Sequence, residues 1–225
     1  MKRRQALVEW NGDILSALAL YDAKRQHNMH PVTLLTPIAQ PANQIATHGL
    51  PAHLIERQAM SMGIPLQAVY HSEDANAPEK LERWNATIKP YRHSVGIEWL
   101  VRNGSPGNLM HAQGSIQLLN PLAGQESARL ADRFWAAGFK ALVTTINASW
   151  LEGDLVGLEF NEDFIRMLPQ GVDPCGRNGE FYTYVYDGPL FRHQIPVVAG
   201  DRFFKRWSFS EKLQAYWYVG LELDQ

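Results

Sequence analysis

Two stretches of this sequence carry side chains whose types and spacing could do chemistry. The first is Asn11-Gly12-Asp13-Ile14-Leu15-Ser16, which follows the apolar run Ala6-Leu7-Val8-Glu9-Trp10 and opens an Ala/Leu-rich stretch reaching about Gln26. A strand, a polar glycine turn and a helix in that order bring backbone N–H groups and the positive end of a helix to one point, which suits an anion. The same turn also serves as a plain strand–helix connection with Asn11 or Asp13 as the helix cap. In the second stretch Asn178 and Glu180 precede the alternating run Phe181 to Tyr186. A carboxylate such as Glu180 can accept or deliver a proton, and the alternative is a polar turn leading into a strand. His48, with Gly49 after it, either contacts a ligand or lies at the surface. Cys175 has no paired base visible in the sequence. His27 and His30 sit close together with no cysteine nearby, and no metal site is expected.

The elements that must position these residues can be read from periodicity. Val32 to Thr36 reads as a second strand, followed by a loop from Pro37 to Pro51. In the next helix Ile55, Ala59 and Met62 fall on one face, with Gly63 as its C-cap. Leu66 to Tyr70 reads as a third strand, Lys80 to Lys89 as a helix and Val95 to Val101 as a fourth strand. Strand–helix–strand units of this length imply a parallel sheet, whose ligands bind beyond the carboxyl ends of the strands. That edge holds Asn11 to Ser16 and the loop Pro37 to Pro51.

Asn103 to Asn108 is rich in turn residues and is the expected flexible segment. From about Gln113 the texture changes. Glu126 to Ala137 reads as a helix ended by Gly138, and Ala141 to Ile146 as a strand. Phe181, Thr183 and Val185 should face one way and Tyr182, Tyr184 and Tyr186 the other. Trp217, Val219, Leu221 and Leu223 should share one side of a last strand, Ala215 to Leu223. Arg202, Lys205 and Arg206 with Phe203, Phe204 and Trp207 form an aromatic–basic patch, read as an edge or homo-oligomer contact. The expected fold class is α/β, with a parallel-sheet domain over residues 1–112 and an α+β domain over 113–225.

Composition narrows the function classes. Lys plus Arg is 21 against 23 Asp plus Glu, so no basic excess exists to neutralise nucleic acid, and none is expected as a partner. One cysteine cannot form an internal disulfide. No apolar run approaches the ~20 residues that span a bilayer, and Ala6 to Val8 is too short for a signal-peptide core. The expectation is a cytoplasmic protein without a membrane partner.

Trp10-Asn11-Gly12-Asp13-Ile14-Leu15-Ser16-Ala17-Leu18-Ala19-Leu20 resembles the W-S-G-G-K-D-S-A-L-A-L opening of N-type PP-loop ATP pyrophosphatases. Gly171-Val172-Asp173-Pro174-Cys175-Gly176-Arg177-Asn178-Gly179-Glu180-Phe181-Tyr182-Thr183-Tyr184-Val185-Tyr186-Asp187-Gly188-Pro189 resembles the G-x-D-P-x-G-E-N-G-E-F-H-T-x-V-x-D-G-P signature of the diphthine–ammonia ligase family. His48-Gly49, Gly63-Ile64-Pro65-Leu66 and Ala136 to Ala141 match further elements in order. The resemblance implies a HUP-like N-terminal domain and a family-specific C-terminal domain. It also implies a reaction: ATP, with magnesium, adenylates a carboxyl oxygen, pyrophosphate leaves, and ammonia displaces AMP to give an amide on a small-molecule or modified-protein substrate. By resemblance Asn11, Gly12, Ser16, His48 and Gly49 would bind the nucleotide, and Glu180 and Asn178 would act at the reacting centre, Glu180 in proton transfer or in positioning ammonia.

The chain also departs from that pattern. Asp13, Ile14 and Leu15 stand where the family has glycine, lysine and aspartate, changing the local charge from zero to minus one. A carboxylate facing phosphate at 4 Å near a protein surface costs about 4 kcal/mol. Ile97 stands for an aspartate, Ala123 for a tryptophan, Arg177 for a glutamate and Tyr182 for a histidine. Two readings follow: an ATP-dependent amide-forming ligase with a remodelled loop, and a non-catalytic protein that keeps the fold for ligand binding or assembly.

Overall fold

A computed structural model describes residues 3–45, 48–103, 116–209 and 212–223 of the 225-residue chain. It divides into two compact units, Met1–Asn11 with Leu15–Ala123 and Gly12–Ile14 with Gly124–Gln225. The expected boundary at residues 112 and 113 lies outside the described residues, as does the expected flexible segment after Asn103.

The first unit is a five-stranded parallel sheet in the order β3-β2-β1-β4-β5. Its strands are β1 (Arg4–Glu9), β2 (Met29–Gln40), β3 (Leu66–Ser72), β4 (Trp99–Val101) and β5 (Gln117–Leu119). The helices are α1 (Ile14–Gln26), α2 (Ala52–Met62) and α3 (Ala77–Pro90). Alternation sends Leu7, Leu35 and Leu100 into a buried cluster with Trp84 and Ile88 of α3. α1 is buried from Ile14 through Leu20 because its sequence is apolar on nearly every side. α3 starts at a capping box: Asn76 Oδ1 accepts from Glu79 N at 3.0 Å, and Glu79 Oε2 accepts from Asn76 N at 2.9 Å. Gly63 caps α2 as expected, its N–H reaching the carbonyls of Ala59 and Met60.

Two expectations for this unit are corrected. The loop after the second strand starts at Pro41, not Pro37, because β2 continues to Gln40. Past Leu35, β2 has left β1 and pairs with β3, with an isolated bridge from Ala39 to Gln44, so the absent N–H of Pro37 breaks no ladder with β1. The fourth strand is Trp99–Val101, shorter than Val95 to Val101, because Tyr91–Val95 continues from α3 as a π-helical turn closed by Gly96 N–H onto Tyr91 O.

The second unit holds α4 (Ser127–Ala136), α5 (Glu162–Met167) and an antiparallel sheet in the order β7-β6-β9-β8. The strands are β6 (Lys140–Asn147), β7 (Phe181–Asp187), β8 (Val197–Phe209) and β9 (Lys212–Leu223). Its core is a chain of phenylalanines. Phe134 stacks on Phe139 at 5.1 Å, and Phe164 meets Phe181 edge-on at 5.1 Å, with Phe160 between the two pairs. On β7 Tyr184 is fully buried beside buried Thr183 and Val185, so both faces of the strand are covered there. On β9 the most buried side chains are Tyr216, Tyr218 and Val219, while Trp217, Leu221 and Leu223 are half-buried. Trp217, Val219, Leu221 and Leu223 share one side of this strand, and the opposite side, with Tyr216 and Tyr218, is the more deeply covered one. Among the described residues no helix is long and apolar enough to cross a membrane.

Candidate functional site

In the first unit the chain runs from β1 outward through β2 and β3, then returns to place β4 on the other side of β1. The carboxyl ends of β1 and β4 are therefore the switch point of the sheet, where such folds bind ligands. Asn11 lies two residues beyond β1, and Asn103 two residues beyond β4. They meet at Ser16 in the first turn of α1. Ser16 Oγ accepts from Asn11 N at 3.0 Å and from Asn103 Nδ2 at 3.3 Å. Asn103 and Ser16 are both buried. The side-chain oxygens of Asn11 and Asn103 are buried without a hydrogen-bond partner among the described residues. Beside them Arg102 Nε donates to Glu9 Oε2 at 3.2 Å, an ion pair at the same strand ends.

The rest of this edge is held firmly. Trp10 Nε1 donates to Gln58 Oε1 of α2 at 2.8 Å, and Thr36 Oγ1 donates to Trp10 O at 2.7 Å. His48 is buried in the loop between β2 and α2, and the adjacent Gly49 N–H donates to Ile45 O at 2.8 Å. The structure thus brings Asn11 and Ser16 together. Asn103 was missed as a partner of that loop, and Arg102 as the partner of Glu9. Their position just past β4 was the available signal.

The second unit takes in Gly12–Ile14. Gly12 has φ +80°, a left-handed conformation that glycine adopts without strain. Its carbonyl accepts from Val185 N of β7 at 2.9 Å. Ile14 N, the first helical N–H of α1, donates to Thr183 Oγ1 at 3.2 Å. Asp13 between them is buried, as are Ile14 and Leu15.

Glu180 and Asn178 are also brought together. Glu180 Oε1 accepts from Asp173 N at 3.1 Å and Asn178 Nδ2 at 2.9 Å, while Oε2 accepts from Asn178 N at 2.9 Å. One buried carboxylate therefore pins the turn from Asp173 to Asn178. Asp173 works the same way on its other side: Oδ1 accepts from Cys175 N at 2.7 Å, and Oδ2 accepts from Ser127 Oγ of α4 at 2.6 Å. Gly176 is required here, since a Cβ would come within 2.4 Å of Phe181 O. Arg177 Nη1 donates to Gln125 O at 2.9 Å, so the residue that departs from the family signature still anchors the loop.

This loop of paired carboxylates and its flanking elements α4, β6 and β7 have a known counterpart. Residues 126–216 match the family model of the diphthamide synthase C-terminal domain. The match runs from the residue before α4 into β9, and the loop Asp173 to Glu180 lies inside it. No curated protein matches the chain. The second unit is thus diphthamide synthase-like in sequence.

Within the diphthamide synthase-like unit Cys175 is buried, and its Sγ donates to Ser127 O at 3.2 Å. Burial, and next the Asp173 carboxylate, push its thiol up to about 12. Tyr186 is pushed up to about 12 as well, by burial first and then by Glu159, whose Oε1 accepts its hydroxyl at 3.1 Å. Each group stays protonated in the native state after its unfolded counterpart has ionised. The unfolded state then binds fewer protons, so stability falls as pH rises. Denaturant midpoints are expected to decline from about pH 9, where an exposed thiol ionises, towards 12. Ellman's reagent at pH 8 is expected to modify the unfolded chain within minutes and the native chain far more slowly. Rapid native labelling would place the thiol at the surface.

Proposed function

We propose that this chain is a divergent member of the diphthine–ammonia ligase family that keeps the fold for ligand binding and no longer carries out ATP-dependent amide formation. The observation that carries this reading is the fate of the loop's backbone donors. A phosphate loop offers free N–H groups to its ligand. Here Asn11 N is satisfied by Ser16 Oγ, and Ile14 N by Thr183 Oγ1. Among the described residues the buried side-chain oxygens of Asn11 and Asn103 at the switch point lack a hydrogen-bond partner, and such oxygens attract hydrogen-bond donors and repel phosphate oxygens. Ile14 occupies the family's lysine position as a buried apolar side chain. These residues do not fit a triphosphate, and no catalytic step is derived through one.

The ligand class that these atoms favour is small and neutral or cationic, presenting hydroxyl or amino donors. The active-ligase reading has one observation on its side, the family match over residues 126–216. Calorimetry with ATP and AMP in the presence of magnesium, alongside a pyrophosphate-release assay, separates the two. The expected result is no saturable heat and no pyrophosphate. A dissociation constant in the low micromolar range that is lost in Ser16→Ala would establish the ligase reading instead.

A further inference from the structure

β8 is an edge strand of the antiparallel sheet and pairs only with β9 among the described residues. Among the described residues β6 pairs with β9 only at Tyr216, Trp217 and Tyr218, so much of the β8–β9 ribbon has no third strand there. All six residues from Asp201 to Arg206 are exposed, on both faces of the ribbon. Phe203 is 38% exposed and Phe204 is 40% exposed. Each ring is held in place rather than loose. Phe203 stacks on Tyr218 at 5.4 Å, and Phe204 packs on Trp217 at 4.9 Å. Cations lie over the same rings, Lys205 5.1 Å from Phe203 and Arg206 5.6 Å from Phe204.

Natural edge strands are blunted by charge and bulges, and β8 has both, including a register shift between Ala199 and Arg202. Two neighbouring exposed phenylalanines are the reverse of that protection, since they add apolar area to an open edge. The charges also decide what can dock. An antiparallel pairing of β8 with the β8 of a second copy, centred on Phe204, would set Arg202 opposite Arg206 on both sides. Like charges directly opposite are destabilising. A strand of opposite sign meets the same positions favourably.

We propose that the β8 edge is a docking site for an extended acidic segment of a protein partner, added as a further strand. Alternation fixes the chemistry of that segment. Arg202, Phe204 and Arg206 point to one face, and Phe203 and Lys205 to the other. An antiparallel partner strand therefore places acids opposite Arg206, Lys205 and Arg202, with apolar residues opposite Phe204 and Phe203. The five-residue pattern is Glu-Glu-Val-Ile-Glu.

The probe is a fluorescein-labelled peptide carrying Glu-Glu-Val-Ile-Glu with two threonines on each flank, titrated with the full chain by anisotropy. Saturable binding is expected, weakened at least tenfold in the double variant Arg202→Glu, Arg206→Glu. Both side chains are exposed, so circular dichroism and the melting curve should match wild type. Two N-methylated peptides, with alternate amides blocked, test strand addition directly: one register abolishes binding and the other retains it. Equal binding of both methylated peptides would reduce the site to plain charge attraction and overturn the proposal. So would no binding of the parent peptide at millimolar protein, tighter binding of oligo-dT than of the peptide, or a dimer that forms through β8 in sedimentation velocity.

Discussion

Ile14→Lys is expected to lower the melting temperature by about 10–15 °C. By resemblance the position corresponds to the lysine of the PP-loop pattern, so this change restores one of that pattern's residues. The structure places it in a different physical setting. Ile14 is 1% exposed and its N–H is held by Thr183, which leaves little freedom to swing an ammonium group into water. A buried charge left without a hydrogen-bonded partner costs several kcal/mol, on the order of 3–5. For a chain of this size each kcal/mol moves the midpoint by about 2–4 °C. Leu15 is 5% exposed, so the triple change Asp13→Gly, Ile14→Lys, Leu15→Asp adds a second charge to the interior. Thermal denaturation followed by circular dichroism reads the result. If Ile14→Lys melts like wild type and gains ATP affinity, the pocket is open to phosphate and the ligand reading fails.

Glu180→Ala is expected to cost about 3–5 kcal/mol, with Glu180→Gln costing about half as much. Three N–H donors lose their common acceptor in the alanine variant, and each unsatisfied buried donor is worth about 1–3 kcal/mol before the loop relaxes. Glutamine keeps one oxygen and turns an NH2 group towards one of the former partners. Chemical denaturation measures the ranking. Equal stability of both variants and wild type would show that the carboxylate is free of the loop, and its assignment to proton transfer would gain weight.

Both predictions rest on features that the sequence displayed unequally. α1, α2 with its Gly63 cap, β3, α4 and β6 were legible because each is long enough for its period to repeat, and because a glycine lies close to one end of each. β5 has three residues and α5 six, too short for a period to register. β8 was invisible as a strand because it is exposed on both faces along the stretch that carries its charges, so no apolar alternation was needed there. The same residues were noticed only as a patch. At the candidate site, Asn11 and Ser16 could be placed in one loop because only five positions separate them. Asn103 and Thr183 could not, since their link to the loop spans 87 and 169 positions and depends on strand order. The brace formed by Glu180 was hidden for another reason: a carboxylate that accepts three backbone and amide protons looks, in one dimension, like any acid before a strand.

The membership of Gly12–Ile14 in the second unit has a consequence for how the chain acquires its structure during synthesis. Ile14 must wait for Thr183, 169 residues later, before its N–H finds the hydroxyl it is bonded to in the finished molecule. At a ribosomal rate of about 5–20 residues per second, that interval is on the order of 10–30 s. β1 and β2 can pair as soon as they emerge, yet the turn leading out of β1 stays unfinished until β7 arrives. For that time the Ile14 N–H and the Gly12 carbonyl are open to water or to a chaperone. Slowed translation anywhere between codons 15 and 183 lengthens this period without altering a single contact of the final fold.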